Sequence, residues 1–330
     1  MSRITILGAG AWGTALALSL ARRGGHEIVL WSHSAALAEQ LGELGENLPY
    51  LPGFTLPADV QVTSDLPGSI FEADILLCVT PSQHLRGIIG HIAPLLTRDQ
   101  IIVSASKGLE ETTFLRMSQI IASITSNPCA VLSGPSFAQE VAHGYPTAIV
   151  AASSVPTLSQ IIQREFSSPT LRVYTNDDMT GVELGGALKN VIALSSGVVH
   201  GLNLGHNSAA ALITRGIAEI TRLAVACGGR RQTLAGLAGI GDLVLTCTGT
   251  LSRNRSAGIE LGKGRHLSDI LAGLNGKVVE GLQSTTAALG LAARYDVEMP
   301  ITEQMNAILH HNKSPKDAMR ELMSRPGRDE

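Results

Sequence analysis

The run Gly8-Ala9-Gly10-Ala11-Trp12-Gly13 is the first place where residue types and spacing imply chemistry. It matches Gly-x-Gly-x-x-Gly. Gly8 permits a tight turn, Gly10 lets a pyrophosphate approach the backbone, and Gly13 lets a helix lie against a sheet. The helix N-terminus then offers unpaired N–H groups and a favourable dipole to the anion. Alone, such a match could be a structural turn. Here it follows the apolar run 4–7, opens the helix-forming stretch 11–23 and precedes a second apolar run, 28–31. That is the context a dinucleotide site requires. The carboxylate that would bind a free ribose 2′-hydroxyl is expected near position 32 or 33, where the chain reads Trp31-Ser32-His33-Ser34. An acid there would repel a 2′-phosphate, whereas Ser32 and His33 could donate to one. The expected cofactor is NADP, with NAD possible, unless His33 is only an exposed loop residue.

Lys189 stands in GVELGGALKNVIALSSG, a stretch almost free of other charge. Gly185 and Gly186 precede it by four and three residues, and Ile192 and Ala193 follow by three and four. The helical repeat places all of them on the lysine's side. The glycines leave room for a flat ring or for another backbone. Apolar surroundings favour a neutral amine, which suits acid–base chemistry near neutrality; the alternative is a lysine that snorkels to water. Asn190 either orients a neighbour or caps a local kink. A third cluster is Gly239-Ile240-Gly241-Asp242 followed by Ser252-Arg253-Asn254. Asp242 can pair with a lysine. The hydroxyl, guanidinium and amide of the second group, read as one loop, suit a phosphate monoester, unless that loop is merely solvated.

The elements that must position these groups change character along the chain. Residues 4–7, 28–31, 74–79, 100–104, 130–132, 148–151 and 171–174 read as strands, and 11–23, 82–92 and 154–166 as helices. Continuous apolar strands between helices imply a mostly parallel sheet covered on both faces. Ligands then bind beyond the carboxyl ends of the strands. That rule selects Thr80-Pro81, Ser104 to Gly108 with its Lys107, and Ser133-Gly134-Pro135-Ser136. Pro49, Pro52 and Pro57 mark a loop with short elements. Beyond Asp177 the pattern is helical, over 179–199, 208–227, 267–271, 284–295, 301–309 and 315–323. The expected fold is α/β: a Rossmann-type domain over 1–180 followed by an all-helical domain over 181–330, with the boundary between 176 and 190.

Composition narrows the classes. A hydrophobic fraction of 44% with 16% charged residues excludes a disordered chain. Lys and Arg total 25 against 28 Asp and Glu, which leaves no nucleic-acid footprint. Cys78, Cys129, Cys227 and Cys247 are scattered and read as separate thiols in a reducing compartment. His200 and His206 lack a third ligand, so no metal is expected. No run reads as a membrane span, and the apolar stretch after Arg3 is better explained by its glycines than as a signal peptide. A cytoplasmic location follows.

GAGAWGTALA from Gly8, SASKGLE from Ser104, LSGPSFAQEV from Leu132, ELGGALKNVIAL from Glu183, AALITRGIAEI from Ala210, GLAGIGDLVLTC from Gly236, LSRNR from Leu251 and VVEG from Val278 together resemble the bacterial NAD(P)-dependent glycerol-3-phosphate dehydrogenases. The resemblance covers nearly the whole chain. It implies interconversion of sn-glycerol 3-phosphate and dihydroxyacetone phosphate, feeding phospholipid synthesis, by a homodimer. It implies Lys189 as proton acceptor, with Lys107 and Asp242 also catalytic. Substrate-contacting positions fall on Lys107, Gly134, Ser136, Lys189, Asp242, Ser252, Arg253 and Asn254. Cofactor-contacting positions fall on Gly8, Gly10, Ala11, Trp12, Gly13, His33, Tyr50, Lys107, Ala138, Arg253, Val278 and Glu280. The chain departs from the family pattern at His200, His206 and Gly249. Two rivals share parts of this plan: a dehydrogenase of another small hydroxy acid or sugar phosphate, and a regulatory protein that binds NADPH without turnover.

Overall fold

In a computed structural model, which describes residues 1–273 and 279–327, the apolar runs of the first half pair side by side. The strands are β1 (Ser2–Leu7), β2 (His26–Trp31), β3 (Glu46–Asn47), β4 (Leu51–Thr55), β5 (Val60–Thr63), β6 (Ile75–Cys78), β7 (Ile101–Ser104), β8 (Cys129–Ser133), β9 (Thr147–Ala152) and β10 (Leu171–Asn176). Eight of them form one sheet in the order β10-β9-β8-β7-β6-β1-β2-β5, and β3 and β4 form a small antiparallel pair. Every neighbouring pair in the large sheet is parallel except β8 and β9. Strand alternation divides the core. Ile4, Ile6, Leu30, Leu77 and Val103 pack under helices Ala11–Arg23 and Pro156–Phe166. Leu7, Trp31, Leu76, Cys78 and Ile102 pack under Leu85–Ile92 and Met117–Ile124. Both faces are therefore buried, which is why these strands are apolar throughout.

The chain divides into two compact units. One comprises Met1–Lys107 and Leu115–Glu183, the other Gly108–Phe114 and Leu184–Glu330. The second unit is helical. The long helix Met179–Gly201 begins in the first unit and continues into the second. It is long and apolar enough to cross a membrane, and its apolar window lies entirely inside the protein. Gly205–Ala226, Glu280–Arg294, Pro300–His310 and Pro315–Met323 follow. Glu219, a buried residue of Gly205–Ala226, accepts from Ile301 N, Thr302 N and Thr302 Oγ1 and so holds the start of Pro300–His310. Burial pushes its carboxyl up, against the pull of these hydrogen bonds.

Two helices depart from the sequence expectation. Asp242–Thr248 and Arg253–Gly262 occupy a region read there as turn and loop. The first is only 7 residues long and follows a glycine-rich turn, and Gly258 and Gly262 interrupt the pattern of the second, so both form because tertiary contacts supply what local propensity does not. The decisive contact is backbone to backbone. A Cβ on Gly197 would lie 2.1 Å from Arg255 O, and one on Gly258 would lie 2.0 Å from Leu194 O. Gly201 and Gly262 repeat the approach one turn later, at 2.2 Å from Ile259 O and 2.5 Å from Val198 O.

G258A should therefore cost about 1–3 kcal/mol through forced helix separation. G87A, on an exposed position of Leu85–Ile92 where a new Cβ meets nothing within 4 Å, should gain about 0.5–1 kcal/mol from reduced backbone entropy. Urea denaturation of the two variants checks both signs, and equal stability would contradict the close-contact account.

Candidate active site

In the first unit the glycine motif forms a turn between β1 and helix Ala11–Arg23. Gly8 has φ +130°, and a Cβ there would lie 2.7 Å from Val79 O on the neighbouring strand's exit. A Cβ on Gly13 would lie 1.9 Å from Gly8 O, so the helix can rest on its own turn only because Gly13 has none. A Cβ on Gly10 meets nothing within 4 Å; the space beside it is open to a ligand. No side chain caps this helix and no acid stands in its first turn, which leaves its first N–H groups to an anion. Trp12 Nε1 is buried without a hydrogen-bond partner. These features fit a dinucleotide pyrophosphate. Asn47, which sequence reasoning missed, holds the turn: its Nδ2 donates to Ala9 O at 2.9 Å and Thr14 Oγ1 at 2.7 Å. Nothing in its proline-rich surroundings signals that long-range role.

Beyond β2, one expectation needs correction. Ser32 is buried and its Oγ donates to Ser34 O at 3.0 Å, so its hydroxyl proton is engaged locally rather than offered to a 2′-phosphate. His33 is exposed, its ring edge-on to Trp31 at 6.2 Å. Tyr50 is also exposed. At the carboxyl ends of β7 and β8 the structure brings together Lys107, Gly134 and Ser136. Lys107 Nζ and Ser136 Oγ each donate to Gly134 O, at 3.0 Å. Gly134 has φ +131°, with Ile149 Cα 3.0 Å from a notional Cβ. Ala138 opens the short helix Ala138–His143.

In the second unit Lys189 meets Asp242. Lys189 Nζ donates to Asp242 Oδ1 at 2.5 Å, with the residues 8% and 0% exposed. The local fold makes this meeting unavoidable. Residues 236–241 form one wide turn in which Gly241 N donates to Gly236 O, five residues back. Gly185 has no side chain, and a Cβ there would lie 2.4 Å from Ala238 O. The space the glycine leaves is therefore filled by another backbone. One helical turn further along each segment, Lys189 stands opposite Asp242. Burial also pushes the neighbouring Cys247 thiol up to about 12.

Asn190 turns out to be a cross-link. Its Nδ2 donates to Glu280 Oε2 at 3.0 Å, and its Oδ1 accepts from Asn254 Nδ2 at 3.0 Å. Asn254 Oδ1 in turn accepts from Gly281 N at 2.9 Å. Because Glu280 can only accept, the orientation of both amides follows from it. Ser252, Arg253 and Asn254 do not share a loop as expected. Ser252 is the N-cap of Arg253–Gly262, its Oγ accepting from Arg255 N at 3.2 Å, and Arg253 and Asn254 form the first turn. Arg253 is exposed and Asn254 buried. A helix N-terminus beside a guanidinium still suits a phosphate. Val278 lies outside the described residues. His200 and His206 are exposed at the facing ends of Met179–Gly201 and Gly205–Ala226, and Gly249 ends Asp242–Thr248. Among the described residues no group of three or more His, Cys, Asp or Glu could hold a metal ion.

Residues 3–159 match the family model described as NAD-dependent glycerol-3-phosphate dehydrogenase N-terminus, and residues 178–320 match the C-terminus model. The chain is 60% identical over its full length to glycerol-3-phosphate dehydrogenase [NAD(P)+] of Acidobacterium capsulatum, covering all of that protein too. It is 48% identical to the Geobacter sulfurreducens protein of the same name, over 98% of this chain and 97% of that one. Among solved structures, glycerol-3-phosphate dehydrogenase from Coxiella burnetii superposes with a TM-score of 0.94 at 41% identity, over 98% of this chain and 99% of that one. With both halves of the chain matched and the glycine turn and the buried lysine–aspartate pair in place, the chain belongs to the NAD-dependent glycerol-3-phosphate dehydrogenase family.

Proposed function

We propose that this NAD(P)-dependent oxidoreductase interconverts sn-glycerol 3-phosphate and dihydroxyacetone phosphate, and that the glycerol 3-phosphate it forms supplies phospholipid synthesis. The observation that carries the chemistry is the Lys189–Asp242 pair, a buried ammonium held by a carboxylate with no exposed surface. When bound, the nicotinamide dinucleotide supplies or accepts the hydride. In the reducing direction Lys189 gives a proton to the ketone oxygen at C2, and in the oxidising direction the neutral amine takes the hydroxyl proton. Asp242 fixes the position of Nζ through both directions. Lys107 stabilises negative charge that develops in the transition state, as the family resemblance implies. Arg253, with Asn254 and Ser252, binds the phosphate, and that remote binding energy orients the reacting carbon. We assign nucleotide binding to 1–180 and substrate binding and catalysis to 181–330, with the remaining contacts on Gly134, Ser136, Ala138, Tyr50, Glu280 and Val278 as the family resemblance implies. The protein is read as a cytoplasmic homodimer, as the family resemblance and the scattered placing of its cysteines imply.

Reduction of dihydroxyacetone phosphate with nucleotide oxidation followed by absorbance tests the reaction, and turnover of 6-phosphogluconate in its place would overturn the substrate. R253A should raise KM for dihydroxyacetone phosphate by about 10²-fold, the scale of a lost charged hydrogen bond. It should barely change the weak activity on unphosphorylated dihydroxyacetone. Equal impairment on both at saturating cofactor would count against a phosphate role.

NADPH is proposed as the preferred nucleotide, since no acid follows β2 and the exposed His33 can donate to a 2′-phosphate. The ratio of kcat/KM for NADPH over NADH should exceed unity, and H33A should bring it towards unity. A preference for NADH in the wild type would refute the assignment.

A further inference from the structure

Lys107 is the last residue of the first unit before the chain enters the second. Of the residues before Glu183, only Gly108–Phe114 belong to the second unit. That short stretch is anchored at both ends. Gly108 adopts φ +140°, a conformation open to glycine. Leu109, two residues after Lys107, is 2% exposed in the cluster that contains Leu184, Leu188, Ile192 and Leu291. Phe114 N donates to Glu110 O at 2.8 Å and closes a turn. Phe114 itself has φ +60°, an outlier for a bulky residue. Its ring occupies the space left by Gly290: a Cβ there would lie 2.1 Å from the ring's Cζ. The Arg294 guanidinium lies over the same ring, 4.5 Å from its centroid, and Arg294 Nη1 donates to Thr113 O at 2.8 Å. Immediately after the stretch, Arg116 pairs with the buried Glu183, whose carboxylate also accepts from Ser118 N and Oγ, at 2.8 and 2.6 Å.

A strained backbone persists only where its surroundings over-determine it, and such residues cluster where position matters. Lysine carries its charge on a flexible four-carbon stem, so the location of its ammonium depends on how firmly the backbone beneath it is held. We propose that Gly108–Phe114 is a tether, seated on Gly290 and Arg294 through Phe114, that fixes the backbone of Lys107 and makes Phe114 a positioning residue for that lysine. The inference rests on the role given to Lys107 above. Glu280 and Arg294 are the two ends of one helix, Glu280–Arg294. The helix that seats the tether at one end therefore holds Asn190, next to Lys189, at the other.

The test is a double-mutant cycle on the full-length enzyme, reading kcat for dihydroxyacetone phosphate and the Kd for NADPH. F114A should lower kcat at saturating NADPH by about ten- to a hundredfold, the scale of a small misplacement of a charged group. In a K107A background the same substitution should add no more than about twofold, because its effect passes through the lysine. Fully multiplicative losses, or a wild-type kcat for F114A beside an impaired K107A, would overturn the tether alone. A wild-type kcat for K107A would overturn the role of Lys107 and the tether with it. If F114A does not fold, R294A decides: kcat should fall at this exposed position and return in R294K, and an unchanged kcat in R294A would refute the proposal.

Discussion

A carboxylate with no exposed surface must be held by a partner, and Asp242 is such a group. Its attachment to Lys189 is the interaction around which the second unit is arranged. Removing one member of a buried pair strands the other, at a cost of about 3–5 kcal/mol. The pair is reached by bringing backbones into contact. Gly185 admits the wide turn that ends at Asp242, and Gly197 and Gly201 admit the helix that begins with Arg253 and Asn254. Along the row of residues Gly185, Lys189, Ala193, Gly197 and Gly201, spaced by four, the lysine is the one long side chain. A single helix thus carries the buried lysine and receives the helix that begins with Arg253 and Asn254.

The first unit uses the same device for a different end. Gly8, Gly10 and Gly13 remove side chains where a turn must be tight, where a ligand needs room and where a helix must rest on that turn. The cradle is a set of absences completed by uncapped N–H groups and the unpartnered Trp12 Nε1. Under the proposed function hydride chemistry belongs to the nucleotide, and the protein contributes placement and one proton. That division explains why its polar groups of consequence, Lys107, Lys189, Asp242, Asn190, Asn254 and Glu280, are mostly buried or half-buried and hydrogen-bonded.

Much of this was legible from sequence, for physical reasons. The central strands are buried on both faces and therefore mostly apolar, and glycines at fixed offsets mark the nucleotide turn. A lysine in a stretch almost free of other charge marks Lys189. Helix Asp242–Thr248 was not legible because it is too short to show a period, and Arg253–Gly262 because the glycines that let it pack also erase its period. The linkage of Asn190 to Glu280 and Asn254 spans 90 and 64 residues and leaves no local trace. Ser32 was misjudged because a two-residue hydrogen bond to Ser34 uses the hydroxyl proton that sequence alone leaves available. The capture of Gly108–Phe114 by the second unit depends on Phe114 finding Gly290, a match across 176 residues that neither residue announces.

The most direct test of the account is the turnover of K189A, with NADPH affinity measured on the same purified sample to show that the nucleotide cradle is intact. Loss of the proton-transferring group should lower kcat by about 10²–10⁴-fold while NADPH binds as in the wild type. A kcat near that of the wild type would remove Lys189 from the chemistry and contradict the account.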